Sequence, residues 1–227
     1  MTMKKNVSVT CPACHEAGEF TIYNSINTQL DPELREAVRD GSLFQFTCPH
    51  CGERTVVDYP FLYHEMEHHF MINYGPLEDG AKALAMLRGK GVADADWAAE
   101  MEKTTDPYVL RAVDDRLAFR EKLFIFDAGL DDRIVEIYKC MVLYQFAAAG
   151  KAQGDEEAYF FTDSKGNNRV QVTRGRETVA MADFPRKMYR DIYNGYHKCL
   201  RDIRKSEPVI DQAWVRRFLQ QEGAQKA

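Results

Sequence analysis

Short stretches in which apolar and polar residues alternate mark the first half of the chain, and this pattern predicts strands. The predicted strands are 19–24, 42–47, 54–58, 70–74 and 108–113. Between them, Asp31-Pro32 predicts the start of a short helix that ends near Gly41, and another helix is predicted around 78–87. We therefore expect a small antiparallel sheet with inserted helices.

Apolar residues three and four positions apart mark the second half, and this spacing predicts amphipathic helices. Helices are predicted over 114–127 and 131–149, from Pro185 onwards, and after Asp211, which is expected to cap the last one. Three short strands between them, 158–162, 169–173 and 177–181, predict a meander. The order of elements indicates an α+β chain with a first domain over 1–128 and a C-terminal α+β domain over 129–227. The second domain is expected to hold a helix, the three-stranded meander and two helices.

Four of the six cysteines form two C-P-x-C pairs, Cys11 with Cys14 and Cys48 with Cys51. Two such pairs can bring four thiolates around one metal ion, and strands lead into and out of each pair as in a zinc ribbon. We expect one structural zinc per chain, because four thiolates leave no open position for water. Two disulfides, ordinary core packing or an iron site of the rubredoxin type remain alternatives.

The two other cysteines, Cys140 and Cys199, lie on or beside apolar helical faces. Free cysteine commonly behaves as a small buried hydrophobe. A packing role is therefore expected for both, with no catalytic partner suggested by the positions of the histidines.

The cysteine pairs come with phrases that resemble the bacterial CpXC domain. These phrases are Tyr23-Asn24-Ser25-Ile26-Asn27, Leu30-Asp31-Pro32-Glu33-Leu34, Gly41-Ser42-Leu43-Phe44-Gln45-Phe46 and Tyr59-Pro60-Phe61-Leu62-Tyr63-His64. The resemblance covers residues 6–128. It implies an N-terminal zinc-ribbon-like module that binds metal through its cysteines, and it implies no particular biochemical activity.

The segment His64-Glu65-Met66-Glu67-His68 matches the H-E-x-x-H motif of zinc hydrolases. In those enzymes a helix presents both histidines to zinc, and the glutamate acts as general base. Here the flanking residues predict strands and leave too little room for such a helix. We expect a polar turn with exposed histidines, and a metal-dependent hydrolase is kept as an alternative.

The composition is that of a soluble globular protein, with 45% hydrophobic and 29% charged residues and a net charge of −5. The charge is uneven, because residues 165–217 carry thirteen Lys and Arg against six Asp and Glu. The basic residues that follow Pro185 form one side of a helix, so a nucleic-acid-associated regulator is a second alternative. The cysteine-bearing segment is acidic, which argues against nucleic acid as its partner.

No apolar core of a signal peptide follows Lys4-Lys5, and no stretch approaches the length of a membrane span. We therefore expect a cytoplasmic bacterial protein without a membrane partner, in a compartment where thiols stay reduced. Binding or interaction, with a protein partner or through self-association, is expected rather than catalysis. The sequence identifies neither the partner nor a substrate.

Overall fold

The computed structural model describes residues 2–225, with side chains described for residues 2–222. The chain divides into two compact units, Met1–Asp115 and Arg116–Ala227. Each unit combines helices with a β-sheet, which confirms the predicted α+β class. Within the described chain, no helix is both long enough and apolar enough to cross a membrane.

The first unit contains both cysteine pairs, and each pair lies in the turn between two strands. In chain order its elements are β1 (Met3–Thr10), β2 (Ala17–Asn27), α1 (Glu33–Asp40), β3 (Gln45–Thr47), β4 (Arg54–Val56), β5 (Phe61–Glu65), β6 (Phe70–Tyr74), α2 (Leu77–Leu87), α3 (Ala95–Thr105) and β7 (Val109–Val113).

Five of these strands form one sheet in the order β1-β2-β5-β6-β7, and β3 pairs with β4 in a separate antiparallel ribbon. The large sheet is mixed, because β2 pairs with β5 and β6 pairs with β7 in parallel. Parallel neighbours require a long crossover connection. The first crossover carries α1 and the β3–β4 ribbon, and the second carries α2 and α3. The sheet is therefore larger than predicted and is not purely antiparallel.

The core of the first unit lies on the central strands β5 and β6. Tyr63 and Ile72 are fully buried there, and every residue of β6 except Asn73 is buried. Helix α2 packs against β6 and β7. This close packing needs Gly80, since a Cβ atom there would lie 2.7 Å from Oδ1 of Asn73 and 3.2 Å from Cβ of Ala112.

The second unit contains α4 (Arg116–Asp127), α5 (Asp132–Ala148), β8 (Glu156–Thr162), β9 (Asn168–Arg174), β10 (Glu177–Asp183), α6 (Arg186–Leu200) and α7 (Gln212–Gln225). Its antiparallel sheet has the order β10-β9-β8, which is the predicted meander. Helices α4 and α5 both pack on β8. Because of this packing α4 is part of the second compact unit, whereas the sequence-based division near residue 128 assigned the same helix to the first domain.

The core of the second unit contains a network of charged side chains between α4 and α5. Lys122 Nζ lies 2.8 Å from Asp132 Oδ2, and Lys139 Nζ lies 2.8 Å from Glu121 Oε2 and 2.9 Å from Glu136 Oε1. All five residues are buried. Glu136 and Lys139 on α5 are therefore core residues with partners, because each buried charge has an oppositely charged neighbour.

Candidate metal centre

The first cysteine pair lies in the turn between β1 and β2. The backbone N–H of Cys11 donates to the carbonyl of Glu16 at 2.9 Å, and that of His15 donates to the carbonyl of Cys11 at 3.0 Å. His15 has a positive φ of 61°, which few residues other than glycine adopt. The turn therefore brings Cys11 and Cys14 close together at one end of the hairpin.

The second pair lies in the turn between β3 and β4 and repeats the same pattern. The N–H of Cys48 donates to the carbonyl of Glu53 at 2.8 Å, and that of Gly52 donates to the carbonyl of Cys48 at 3.0 Å. Gly52, with a φ of 76°, has the position that His15 has in the first turn. The two hairpin turns are therefore equivalent in backbone structure, although only one has the glycine.

The fold brings the four Sγ atoms of the two turns together. Sγ of Cys11 lies 3.6 Å from Sγ of Cys51, and Sγ of Cys14 lies 3.6 Å from Sγ of Cys48. All four lie within 4.8 Å of one another. A disulfide would need about 2.05 Å, so the disulfide alternative is wrong for this structure, in which all four cysteines are free.

The spacing of the sulfurs fits a metal ion among them. Four sulfurs about 2.3 Å from a tetrahedral zinc lie roughly 3.8 Å apart, close to the 3.6 Å observed for the two contacts. The donor set consists of soft thiolates, which suit zinc or iron. The residues present therefore fit a metal ion, and Cys11, Cys14, Cys48 and Cys51 would hold it.

The four thiols differ in how readily they ionise. Hydrogen bonds from the backbone, above all from the N–H of Cys51, lower the pKa of Cys48 to about 6. A hydrogen bond from the backbone N–H of Glu53 lowers the pKa of Cys51, but the contacts of Cys51 with the other thiols, above all Cys14, outweigh it and raise that pKa to about 12. The pKa of Cys14 is also raised. One thiolate thus forms easily without a cation, and a divalent cation would favour the remaining ones.

Apolar residues enclose one side of the cysteine cluster. Cys11, Cys48 and Phe46 form a buried group, and the ring of Phe20 meets that of Phe46 edge to face at 6.1 Å. Gly18 makes this packing possible, since a Cβ atom there would lie 2.8 Å from Cζ of Phe46 and 2.9 Å from Cδ of Pro49. Sequence reasoning did not identify Gly18, because its close neighbours belong to the other hairpin.

The H-E-x-x-H segment forms a hairpin and not a catalytic helix. His64 and Glu65 end strand β5, and residues 66–69 form the turn to β6. His64 is half-buried beside Tyr108, with 5.1 Å between ring centroids, and this burial lowers the pKa of His64. The predicted turn with exposed histidines is correct for His68 and wrong for His64. The helical arrangement that a zinc hydrolase needs does not form.

Glu65, Glu67 and His68 nevertheless bring three possible ligand atoms within 4.8 Å of one another. The buried Glu65 already has a cationic partner, since Nε of Arg35 lies 3.3 Å from its Oε2. Tyr63 also donates a hydrogen bond to the same oxygen, at 3.3 Å. The carboxylate that would anchor a second metal ion is therefore engaged within the protein.

The two other cysteines have packing environments. Cys140 is half-buried on α5, and burial raises the pKa of its thiol. Cys199 on α6 donates a hydrogen bond to Oε2 of Glu222 at 2.8 Å.

The predicted basic side of the C-terminal helix is partly neutralised within the second unit. Lys187 pairs with Asp191 at 2.7 Å, and Arg204, beyond the end of α6, pairs with Asp202 at 2.7 Å. These contacts reduce the positive charge that a nucleic acid would meet.

Comparison with known proteins places the cysteine pairs in a family. No curated protein matches the chain, and no solved structure matches it. A family model described as CpXC protein matches residues 9–139, which is more than half of the chain and includes all four clustered cysteines. The chain belongs to the CpXC family.

Proposed function

We propose that the protein binds one structural zinc ion through Cys11, Cys14, Cys48 and Cys51 and acts as a binding module. The observation that supports this is the convergence of four free thiols from two equivalent hairpin turns. Four thiolates complete a tetrahedral shell, so the bound zinc has no position left for water or substrate. The bound zinc would hold the β1–β2 turn and the β3–β4 turn together.

Metal analysis of the purified chain tests the site. We expect one zinc per chain, and Cys48→Ser should lose the metal and destabilise the first unit, because a structural zinc contributes directly to folding. Cys140→Ser is the matched control and should keep the metal. A protein that holds no metal and unfolds at the same temperature as the metal-loaded form would contradict the proposal. Finding iron in place of zinc would contradict the proposed identity of the metal ion.

We propose that the module binds a protein partner or a second copy of the chain. We also propose that it does so in the reducing bacterial cytoplasm. The thiol ligands must stay reduced to hold the ion, and a closed metal shell supplies no chemistry of its own. Light scattering of the zinc-loaded protein measures self-association. An affinity capture from the native cell, repeated with Cys48→Ser and Cys140→Ser, identifies partners whose retention depends on the metal centre.

Two results would replace the interaction proposal. A peptidase activity of the zinc-loaded protein that Glu65→Gln abolishes would favour the hydrolase alternative. Nucleic-acid binding that weakens steeply with salt would favour the regulator, because each phosphate contact releases counterions.

A further inference from the structure

The second unit contains a cavity that the metal centre does not explain. Its volume is about 410 Å³, within the range of roughly 300–1,000 Å³ that is typical of small-molecule sites. The residues that line it are Ala128, Leu130, Asn168, Phe184, Arg186, Tyr189 and Arg190. A second concavity of about 510 Å³ shares Asn168, Phe184 and Arg186 with it, so the two adjoin.

The apolar wall of this cavity is held in place from behind. Phe184 is buried, and its ring meets those of Tyr138 and Phe160 edge to face, with centroids 4.9 Å and 5.2 Å away. The hydroxyl of Tyr189 accepts a hydrogen bond from the backbone N–H of Asp131 at 3.0 Å. Both rings are therefore fixed before any ligand arrives, which reduces the entropy lost on binding.

Two arginines give the cavity its charge. Arg186 and Arg190 are four residues apart on α6 and so lie on the same face of the helix. Among the described residues, neither guanidinium has a carboxylate within ion-pair distance. Two neighbouring acids have other partners: Asp191 lies 2.7 Å from Lys187, and Asp183, which lines the adjoining concavity, lies 3.5 Å from Arg169.

Asn168 adds a further donor. Its Oδ1 accepts a hydrogen bond from Oγ1 of Thr162 at 3.0 Å, which orients the side-chain amide. The two N–H bonds of that amide have no partner among the described residues and remain available at the cavity wall. The polar side chains that line the cavity thus present donors, and no carboxylate lines it.

We propose that this cavity binds a small organic monophosphate, with the phosphate on Arg186 and Arg190 and an apolar or aromatic body against Phe184 and Leu130. Two guanidinium groups match the double negative charge of a monophosphate and can bond its oxygens in pairs. The apolar wall gives the body of the ligand a surface that an inorganic ion would not use. The site lies wholly in the second unit and does not depend on the metal centre.

Calorimetric titration of the full zinc-loaded chain with phenyl phosphate, inorganic phosphate and benzoate tests the proposal. We expect phenyl phosphate to bind one per chain, more tightly than either of the other probes. Arg190→Gln and Arg186→Gln should each weaken it about tenfold or more, since each removes a charge-assisted hydrogen bond to the phosphate. Arg176→Gln, on the exposed turn between β9 and β10, removes the same charge outside the cavity and should leave affinity unchanged.

Several outcomes would overturn the proposal. Equal weakening by Arg176→Gln would mean general attraction of anions, and inorganic phosphate binding as tightly as phenyl phosphate would mean that the apolar wall contributes nothing. If benzoate binds as tightly as phenyl phosphate, the cavity does not select phosphate. If millimolar phenyl phosphate gives no heat of binding, the proposed site does not exist. Both arginines are exposed, so their variants should fold, which circular dichroism checks. The zinc content of the same samples reports separately on the proposed metal centre.

Discussion

At the scale of single residues, backbone conformation separates the two metal-binding turns. Gly52 supplies a left-handed conformation at no steric cost, while His15 adopts the same region with a side chain. The difference matters because the N–H of each of these residues donates to the carbonyl of the first cysteine of its turn. The conformation at these two positions therefore contributes to the placement of the sulfurs.

Gly52→Ala tests this contribution, with Gly91→Ala as the matched control. Both glycines have a φ of 76°, and an added Cβ atom would meet nothing within 4 Å at either position. Each substitution should lower the free energy of unfolding by about 1–2 kcal/mol, the cost of a left-handed residue with a side chain. Only Gly52→Ala should also speed the release of zinc to a chelator. Equal release rates for the two variants would show that the turn conformation does not control the metal.

At the scale of elements, α4 and α5 are joined by buried charges as well as by apolar contacts. The network holds two lysines and three carboxylates, so one negative charge has no matching cation within it. Burial raises the pKa of Glu121 to about 7, although the neighbouring Lys139 opposes the rise. This raised pKa predicts that the folded second unit takes up a proton close to neutral pH.

We expect this proton to make the stability of the protein fall as pH rises. The pKa of Glu121 in the folded state lies above its value of 4.5 in the unfolded chain, so the stabilising contribution is full below pH 4.5 and disappears as pH rises through about 7. Urea unfolding at a series of pH values between about 5 and 8 measures the slope. Glu121→Gln should flatten the slope, and Glu157→Gln, an exposed acid on β8, should retain it. The same slope in Glu121→Gln would assign the proton to another group.

The limits of prediction from the sequence are also clearest at this scale. The cysteine turns and the meander were predictable, because their signals are local: a C-P-x-C spacing, or strands separated by glycine turns. The buried roles of Glu136 and Lys139 were not predictable, since two of their partners, Glu121 and Lys122, lie on another helix. Strand β1 was missed because most of its residues are exposed and its apolar alternation is limited to Val7 and Val9. The contact between Arg35 and Glu65 likewise joins residues distant in the sequence.

At the scale of the whole molecule, the β1–β4 part of the first unit has a smaller buried core than the rest of the described chain. The second unit has its own buried core of aromatic, aliphatic and paired charged residues. The β1–β4 part of the first unit relies on a small buried group around the cysteines. A small core of this kind commonly needs a metal ion to stay folded.

Removal of the metal should therefore act on one part of the chain. After treatment with a strong chelator, hydrogen–deuterium exchange should become fast in peptides from β1–β4 and stay slow in peptides from β8–β10. Cys48→Ser should give the same pattern without chelator, and Cys140→Ser should match the untreated protein. Equal loss of protection in both regions would mean that the ion stabilises the whole chain as one cooperative unit.

The crossover between β2 and β5 also bears on how the protein is made. Because the β3–β4 ribbon lies within this connection, all four cysteines emerge from the ribosome before β5, and a metal ion can close the two turns at that stage. The last strand of the sheet ends at Val113, 62 residues after Cys51. Synthesis at about 5–20 residues per second therefore takes roughly 3–12 seconds to complete the strands of the sheet after Cys51. The supply of metal during that interval, and not only in the finished protein, would decide how many newly made chains close the ribbon before the rest of the sheet forms around it.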